Sequence, residues 1–395
     1  MSTALPLSKV RILAVEQYGA GPFGTMLLAD MGAEIIKIEP PGEGEMARGV
    51  GPFFTENGES QFFHSFNRNK RSLTLNLKAP EGRAIFEKLV ATSDAVLNNL
   101  RGNQPGKLGL DYATLGKIKA DIVCAHLSAY GREGERADWP GFDYLMQAEA
   151  GYLSMTGEPE GPPARFGLSV VDMMTGLMAA FGLSSAVVGA RATGKGMDVD
   201  TSLFDTALHN LGYLATWYLN AGHNQGREPM GGHPSLVPSQ LYRTADGHIF
   251  IMCNKEVFWP VLANKMGHPE WGEDPRFDRF ANRLENKAAL NALLEPAFAS
   301  RTTAEWLELL QGEVPASPVY DVREAIENPF VADSSRIATF DGTNPLRMLA
   351  TPLKVAGAEM PTRAGPALGA DTDNVLQELG YGQAEIEALR TSGVV

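Results

Sequence analysis

Short apolar segments alternate with amphipathic segments through the first 130 residues of the chain. The apolar segments have the length of buried strands, and the segments between them have helical periodicity. Strands separated by helices predict a parallel, doubly wound α/β sheet, so a large Rossmann-like domain is expected here. The predicted strands are 10–15, 34–38, 72–77, 95–98 and 121–127, and the predicted helices lie near 23–31, 80–92 and 112–119.

The character of the sequence changes after residue 141. Residues 142–220 are rich in Ala, Leu and Met and predict long helices, and the Gly- and Pro-rich segment 220–238 is the best linker candidate. Behind it, segments 240–242 and 248–253 flank an Ala-Asp-Gly turn and predict a hairpin. Helices are expected near 256–266, 283–300 and 303–311. This pattern predicts a second, smaller α+β domain that ends near residue 330.

Composition narrows the class of protein. The chain has 395 residues, long enough for two domains, and its 47 acidic and 34 basic side chains give a net charge of −13. That acidity argues against nucleic-acid binding, and the lack of a long uninterrupted apolar run predicts no transmembrane helix. Two cysteines, Cys124 and Cys253, are too few for a disulfide framework or a cysteine zinc site. A reducing cytoplasm is therefore the simplest setting.

A glycine motif follows the first predicted strand. Residues 19–24 read Gly-Ala-Gly-Pro-Phe-Gly, which fits the dinucleotide-binding pattern, with Glu39 after the next strand as a candidate ribose ligand. Pro22 removes a backbone N–H from the turn that would hold a pyrophosphate, and the spacing to Glu39 is short. The alternative is a tight strand-to-helix turn in which the glycines serve geometry.

Asp172 stands at the start of an apolar helical segment, where a carboxylate is unusual. Asp is a good helix N-cap, so a purely structural role is one interpretation. A catalytic role is the other. The two are compatible, because N–H groups and the positive dipole at a helix start are expected to keep a carboxylate ionised.

The glycine motif and several later segments together resemble the family III CoA-transferases. That group includes formyl-CoA and carnitine CoA-transferases, and 2-methylacyl-CoA racemases are its close relatives. The resemblance covers essentially the whole chain, in order and at similar spacing. It is carried by 20–22, 28–42, 69–78, 141–143, 157–167, 172–176, 231–234 and 368–373.

The resemblance implies a fold and an assembly that periodicity does not show. Two ring-like chains would interlock as a homodimer, each threading through the other. The large CoA-binding domain would then comprise residues 1–220 and 331–395, and the small domain residues 221–330 with a glycine loop at its start.

The resemblance also implies that Asp172 is the catalytic nucleophile. It would attack an acyl-CoA thioester to give a mixed anhydride and then an aspartyl-CoA thioester, and an acceptor acid would reverse these steps. The implied substrates are acyl-CoA, possibly succinyl-CoA, and a small carboxylic acid. No metal and no tightly bound cofactor would be needed.

The implied CoA contacts fall largely in a basic stretch. Residues 66–108 contain eight Lys and Arg against three acids, a local excess suited to an anionic ligand. Lys78 and Lys107 would contact phosphates. Arg48 is a candidate replacement for an arginine that the family often has where Pro40 stands. The residues expected along the adenosine and pantetheine path are Tyr18, Ala20, Leu75, Asn99 and Leu100.

The implied substrate contacts lie outside that stretch. Gly231, Gly232 and His233 resemble the glycine loop that closes over the reacting carboxylate. Phe142 and Asp143 are expected in the acyl pocket. Arg165 is a candidate for binding a second substrate carboxylate.

Other functions remain open at this point. The racemases use a Gly-His-Asp motif and a further acid, but this chain has Phe142 at the histidine position and Lys255 where the further acid aligns; both departures favour transfer. His126 lies in a strand-like segment and is interpreted as a structural or pocket-wall residue. A nucleotide-dependent oxidoreductase and a non-catalytic acyl-CoA-binding protein are the remaining alternatives.

Overall fold

The computed structural model describes residues 3–332, 334–342 and 345–395. The chain divides into two compact units. Unit 1 comprises Met1–Ala150, Gly167–Gly212 and Ala332–Val395, and unit 2 comprises Gly151–Phe166 and Tyr213–Val331.

Unit 1 is built on a parallel sheet of six strands with the order β3-β2-β1-β4-β5-β6. The apolar runs predicted from the sequence form its centre, where Leu13, Val96 and Cys124 are fully buried. Continuous apolar strands are expected where helices cover both faces of a parallel sheet. The strands of the chain are β1 Arg11–Val15, β2 Glu34–Glu39, β3 Arg71–Thr74, β4 Ala95–Asn98, β5 Val123–Ser128, β6 Met197–Ser202, β7 Ser239–Arg243, β8 His248–Met252, β9 Ala316–Pro318, β10 Ile337–Phe340 and β11 Leu346–Leu349.

The helices of unit 1 flank this sheet, and some of the helices of unit 2 pack on a separate small sheet. The helices are α1 Ala20–Asp30, α2 Gln61–Asn67, α3 Pro80–Ala91, α4 Gln104–Lys107, α5 Tyr112–Leu115, α6 Asp143–Glu149, α7 Tyr152–Met155, α8 Val170–Thr193, α9 Leu203–His209, α10 Tyr213–Ala221, α11 Phe258–Lys265, α12 Pro269–Glu273, α13 Phe280–Glu285, α14 Lys287–Phe298, α15 Thr303–Leu310, α16 Val322–Glu327, α17 Pro329–Ala332, α18 Thr372–Glu378 and α19 Gln383–Thr391.

Glycines bring α1 and α8 into close contact. A Cβ added at Gly24 would lie 2.5 Å from the Gly176 carbonyl oxygen, and one added at Gly176 would lie 2.4 Å from the Ala20 carbonyl oxygen. Only glycine permits backbones to approach so closely. The last glycine of the Gly-Ala-Gly-Pro-Phe-Gly motif therefore serves helix packing, and this packing places the start of α8 beside the turn after β1.

Helix α8 is long and apolar enough, by length and composition alone, to qualify as a candidate membrane span, whereas the sequence analysis predicts none. The sequence-based prediction looked for an uninterrupted apolar run, whereas α8 qualifies by its mean hydropathy. In the structure, 44% of its most apolar window is buried inside the protein. The core helix of a globular protein passes the same test.

Unit 2 contains the antiparallel sheet β7-β8-β9. The predicted hairpin is confirmed as β7 and β8, whose residues pair from Ser239 with Met252 to Arg243 with His248. The core of unit 2 lies between this sheet and helices α11, α14 and α15. Three of its bulky side chains, Tyr242, Trp259 and Phe298, are fully buried there.

The division between the units differs in detail from the domain boundaries expected at residues 220 and 331. Gly151–Phe166 belongs to unit 2, where the Arg227 guanidinium donates to the Gly161 carbonyl at 2.5 Å and the Glu158 carboxylate accepts the Met230 N–H at 2.9 Å. These contacts tie a segment to unit 2 that the sequence analysis placed in the large domain.

Candidate active site

The segments that follow β1, β4 and β5 line a cavity of about 260 Å³ in unit 1. Strands β1 and β4 are the neighbours at which the strand order reverses. Open α/β sheets bind ligands in the crevice at this point, outside the carboxyl ends of the strands. Seven of the lining residues matter for the chemistry: Tyr18, Ala20, Asn99, Leu100, Arg101, Phe142 and Asp172.

Asp172 lies in the first turn of α8, with its carboxylate at the cavity. A Cβ added at Gly19 would lie 2.8 Å from Asp172 Oδ2, so the turn after β1 passes directly over this carboxylate. The cap position of α8 is Ser169, whose side chain makes no cap hydrogen bond. Asp172 is therefore not the N-cap, which removes the structural interpretation considered from sequence.

The carboxyl group of Asp172 is harder to ionise than an ordinary aspartic acid. Burial raises its pKa to about 7, and the negative charge of Asp143 acts in the same direction. This corrects the expectation that the helix start keeps Asp172 fully ionised. Loss of hydration and a like charge outweigh the helix dipole, whose effect amounts to only about 1 kcal/mol.

Asp143 positions Asp172 from beneath. Its side chain is only 3% exposed, and Oδ2 accepts the Asp172 backbone N–H at 2.9 Å. Oδ1 accepts the Gln147 amide at 2.6 Å. The sequence analysis expected Asp143 in the acyl pocket, but the structure buries it behind the cavity wall. Of the predicted acyl-pocket pair, only Phe142 lines the cavity.

The turn that covers Asp172 is fixed from the β4 side. Asn99 accepts the Gln17 N–H at 2.9 Å and donates to the Gln17 carbonyl at 2.6 Å. Tyr18 has a φ of +61°, uncommon for a residue other than glycine, and its ring meets Phe142 edge-on at 6.3 Å between centroids. Asn99 thus acts on the turn as well as lining the cavity.

Half of the eight cations in the predicted basic stretch are paired with acids of the same chain. Four of its cations are neutralised by acids: Arg68 by Asp30, Lys70 by Glu16, Arg71 by Glu34 and Glu378, and Arg83 by Glu87. Lys78, Arg101 and Lys107 are exposed. The positive potential available to an anionic ligand is therefore smaller than the residue count suggests.

Two further predicted CoA contacts lie away from the cavity. The Leu75 side chain is 2% exposed and belongs to the core of unit 1. The Arg48 guanidinium donates to both Glu39 oxygens at 2.7 Å, so Glu39, the candidate ribose ligand, is bound by arginine and also accepts the Ser72 hydroxyl. Lys78 and Lys107 do not line this cavity either.

The predicted glycine loop belongs to unit 2. Met230 and Gly231 have φ values of +54° and +61°, which mark a sharply turned backbone before Gly232. His233 Nδ1 accepts the backbone N–H groups of Ser235 at 3.1 Å and Leu236 at 3.0 Å, so the ring proton resides on Nε2. Burial and the nearby Lys287 lower the pKa of His233, which favours this neutral form.

Arg165 also lies in unit 2, and its Nη1 donates to the Phe166 carbonyl at 3.1 Å. His126 lies in β5, between Asn98 at 2.8 Å and Asp198 at 2.9 Å. The structural interpretation of His126 agrees with this placement, since the side chain bridges three adjacent strands.

Sequence reasoning missed several residues of the cavity. Arg101 was counted in the basic stretch but given no role, although its place directly after Asn99 and Leu100 was a usable signal. Trp139 and Ser128 carried no recognisable pattern, and both line the cavity.

Across residues 3–332, 334–342 and 345–395, the His, Cys, Asp and Glu side chains form no group of three that could hold a metal ion. The arrangement at the cavity is instead that of one half-buried carboxylate with a raised pKa, facing a space lined by aromatic and small side chains.

Comparison with known proteins identifies the class. Residues 7–372 match the family described as CoA-transferase family III. The chain is 35% identical to the acetyl-CoA:oxalate CoA-transferase of Acetobacter aceti over 86% of this chain and 87% of that protein. It is 32% identical to the succinyl-CoA:glutarate CoA-transferase of Mus musculus, covering 99% and 90%.

The fold agrees. A crystal structure of a CAIB/BAIF family protein from Brucella suis superposes with a TM-score of 0.82 at 31% identity, covering 96% of this chain and all of that one. The protein belongs to the family III CoA-transferases, enzymes whose substrates are CoA thioesters.

Proposed function

We propose that this enzyme transfers CoA from an acyl-CoA donor to a small carboxylic acid, with Asp172 as the covalent nucleophile. The observation that carries the proposal is the Asp172 carboxylate, exposed to a cavity at the switch point of the sheet and covered by Gly19. A nucleophile needs an open approach on one side and a fixed backbone on the other, and both are present.

The proposed chemistry conserves the energy of the thioester. An Asp172 oxygen attacks the thioester carbonyl; the C–S bond breaks, leaving a mixed anhydride and CoA thiolate. The thiolate then attacks the aspartyl carbonyl, so the donor acid leaves with that aspartyl oxygen and an aspartyl-CoA thioester remains. An acceptor carboxylate repeats the two steps in reverse and restores the Asp172 carboxylate.

The raised pKa of Asp172 fits this role. A carboxylate that binds its proton more tightly is also a stronger nucleophile towards carbonyl carbon, whereas the protonated form cannot attack. With a pKa of about 7, the group is substantially ionised at neutral pH and gains reactivity from its poor solvation.

We further propose that CoA occupies the segments after β1 and β4. Tyr18, Ala20, Asn99 and Leu100 line the cavity next to Asp172, and Arg101 adds an exposed cation there. Lys107 follows β4 and Lys78 follows β3, and both remain proposed phosphate contacts. Leu75 and Arg48 would contribute to CoA binding only indirectly. Leu75 would do so by its packing in the core of unit 1, and Arg48 by its hydrogen bonds to Glu39.

The substrate-side residues are proposals supported by the family resemblance. The backbone turns sharply at Met230–Gly231, and Gly231 and Gly232 leave two successive positions of this loop without side chains, which allows the close backbone approach that a closing loop requires. Relatives named for oxalate, glutarate and succinyl-CoA support small dicarboxylic acids as substrates, with Arg165 a proposed partner for the second carboxylate.

Racemisation through the same aspartate is the second candidate. A two-base mechanism needs a proton acceptor on each face of the substrate. Among the described residues that line the cavity there is no histidine, and Phe142 stands beside Asp172 instead. This observation favours transfer. Deuterium incorporation at the α-carbon of an acyl-CoA without an acceptor acid would favour racemisation.

The function is tested by crossing a panel of acyl-CoA donors with small carboxylic acids and detecting new acyl-CoA species by mass spectrometry. We expect exchange with dicarboxylic acids, succinyl-CoA among the donors. A chain that produces no acyl-CoA species from any pair would contradict the proposal.

We also propose the interlocked homodimer. Helix α8 exposes Leu177, Phe181 and Val188, at 56%, 68% and 71%, and a cavity of about 1070 Å³ with a mostly apolar lining lies beside it in unit 1. Exposed apolar surface of this extent is typical of an interface. Light scattering should give twice the chain mass, and Phe181→Glu should reduce it.

The proposed compartment is the cytoplasm. Cys124 and Cys253 are both buried and free, and burial raises the pKa of the Cys253 thiol to about 12, so neither thiol is placed to form a disulfide. Fractionation of the native cell, followed by detection of the enzyme in the membrane-free lysate, tests this placement.

A further inference from the structure

Charged side chains of unit 1 gather in a cluster directly beneath the turn that carries Tyr18 and Gly19. Three carboxylates are each paired with a cation: Glu16 with Lys70 at 2.7 Å, Glu45 with Lys37 at 3.0 Å, and Glu39 with Arg48 at 2.7 Å. All but Arg48 are buried, and the formal charges cancel. Buried ions need such pairing, because the loss of hydration destabilises an unpaired charge inside the protein.

Besides pairing with one another, the side chains of this cluster form hydrogen bonds with the backbone of the turn. Glu45 Oε2 accepts the Tyr18 N–H at 2.8 Å, and Lys37 Nζ donates to the Glu16 carbonyl at 3.1 Å. Lys70 Nζ donates to the Pro22 carbonyl at 2.9 Å. The turn is thus held at its start, its middle and its end by groups that do not line the cavity.

Glu45 binds the residue of the turn that has a left-handed backbone conformation. Tyr18, whose N–H it accepts, has a left-handed φ of +61°, a conformation that is strained for a residue other than glycine. The next residue, Gly19, is the one that lies over the Asp172 carboxylate. A displacement of the Tyr18 peptide therefore moves the surface that confines Asp172.

We propose that Glu45 is a positioning residue for the transfer reaction: held by Lys37, its carboxylate fixes the Tyr18–Gly19 turn against Asp172 and so sets the geometry of nucleophilic attack. This inference rests on the proposed role of Asp172. It assigns the buried cluster a function in catalysis rather than in stability alone, since geometric errors of about 1 Å at a nucleophile cost roughly 100-fold in rate.

Two variants of Glu45 separate positioning from stability. Glu45→Asp keeps the negative charge that neutralises Lys37, but its shorter side chain cannot reach both Lys37 Nζ and the Tyr18 N–H. Glu45→Gln keeps the reach and removes the charge. The matched control is Glu256→Gln in unit 2, because Glu256 likewise accepts a backbone N–H, that of Phe280 at 2.8 Å, and pairs with a buried cation, Arg283, at 2.6 Å.

The measurement is the rate at which Asp172 forms its covalent adduct with saturating succinyl-CoA, followed by rapid quenching and mass spectrometry, together with the Tm of each variant. We expect Glu45→Asp to keep a Tm within a few degrees of the unmodified enzyme and to form the adduct at least tenfold more slowly. Glu256→Gln should lower the Tm and leave the adduct rate within twofold.

Adduct formation at the unmodified rate in Glu45→Asp, and in Glu45→Gln when folded, would overturn the inference and leave the role of Asp172 intact. If the unmodified enzyme itself forms no adduct at Asp172, the proposed function fails, and the inference with it.

Discussion

The carboxylate of Asp143 accepts the backbone N–H of Asp172 at 2.9 Å. One acidic side chain therefore holds in place the residue whose pKa its own charge helps to raise. Positioning and electrostatic tuning come from a single contact, and Gln147 in turn fixes Asp143 at 2.6 Å.

This relationship predicts the pH dependence of the reaction. Only ionised Asp172 can attack a thioester, so the rate at saturating acyl-CoA should fall about tenfold per unit of pH below the pKa of about 7. Asp143→Asn keeps an oxygen for the Asp172 N–H and removes the like charge. Its acidic limb should move to lower pH, and an unmoved limb would show that Asp143 exerts no electrostatic effect.

Stability should depend on the same group. The pKa of Asp172 is raised by folding, so its contribution to stability is present below the ordinary value of 3.8 and is lost as pH rises through about 7. Asp172→Asn does not titrate. The difference in free energy of unfolding, Asp172→Asn minus the unmodified enzyme, should therefore increase as the pH rises. The increase should reach up to about 4 kcal/mol above pH 7.

The measurement is the Tm of both proteins at pH 5 and pH 8. Glu133→Gln, at an exposed acid, is the control for loss of one charge. A difference between Asp172→Asn and the unmodified enzyme that is the same at both pH values would contradict the buried, raised-pKa carboxylate.

Gly19 should tolerate no side chain. The Cβ of Gly19→Ala would lie 2.8 Å from Asp172 Oδ2, so either the turn or the carboxylate must shift. We expect transfer activity to fall by roughly 100-fold with the fold retained, as circular dichroism would show. Gly49→Ala is the control, because a Cβ there meets no atom within 4 Å. Equal activity of the two variants would refute the contact.

The exposed cations after β4 should act on CoA binding. Arg101→Ala and Lys107→Ala should each weaken CoA binding by about two- to fivefold, and the differences should shrink at high salt, because exposed charges are screened. Lys88→Ala, at an exposed lysine that bonds Tyr381, should leave the dissociation constant unchanged. Calorimetry with CoA at two salt concentrations distinguishes these outcomes. A variant with an unchanged dissociation constant removes that residue from the phosphate site.

Strands β1, β2, β4 and β5 of the central sheet were predictable because each is largely a buried apolar run, and β4 was predicted with its observed bounds, Ala95–Asn98. Strand β6, Met197–Ser202, was missed. It lies at the sheet edge, only one of its six residues is buried and four of the six are polar, so hydrophobicity gives little signal. The parallel architecture itself followed from the order of strands and helices.

The candidate site was predictable in part. Tyr18, Asn99, Phe142 and Asp172, which the motif resemblance singled out, line one cavity, and their roles there are predictions. The pairing of the cations in the basic stretch with acids was not predictable, because several of these acids are distant in sequence. Arg71, for example, pairs with Glu378 at 2.8 Å. The raised pKa of Asp172 likewise depends on burial and on a neighbouring carboxylate that only the fold brings close.

The central claim is that Asp172 becomes covalently acylated and then carries CoA during turnover. Incubation with succinyl-CoA, quenching and mass spectrometry of the peptide that contains Asp172 tests it most directly. The account predicts a mass increase of CoA less one water on Asp172, conversion of that adduct to a hydroxamate by hydroxylamine, and no adduct in Asp172→Asn. Turnover without any adduct on Asp172, or with the adduct on another residue, would contradict it.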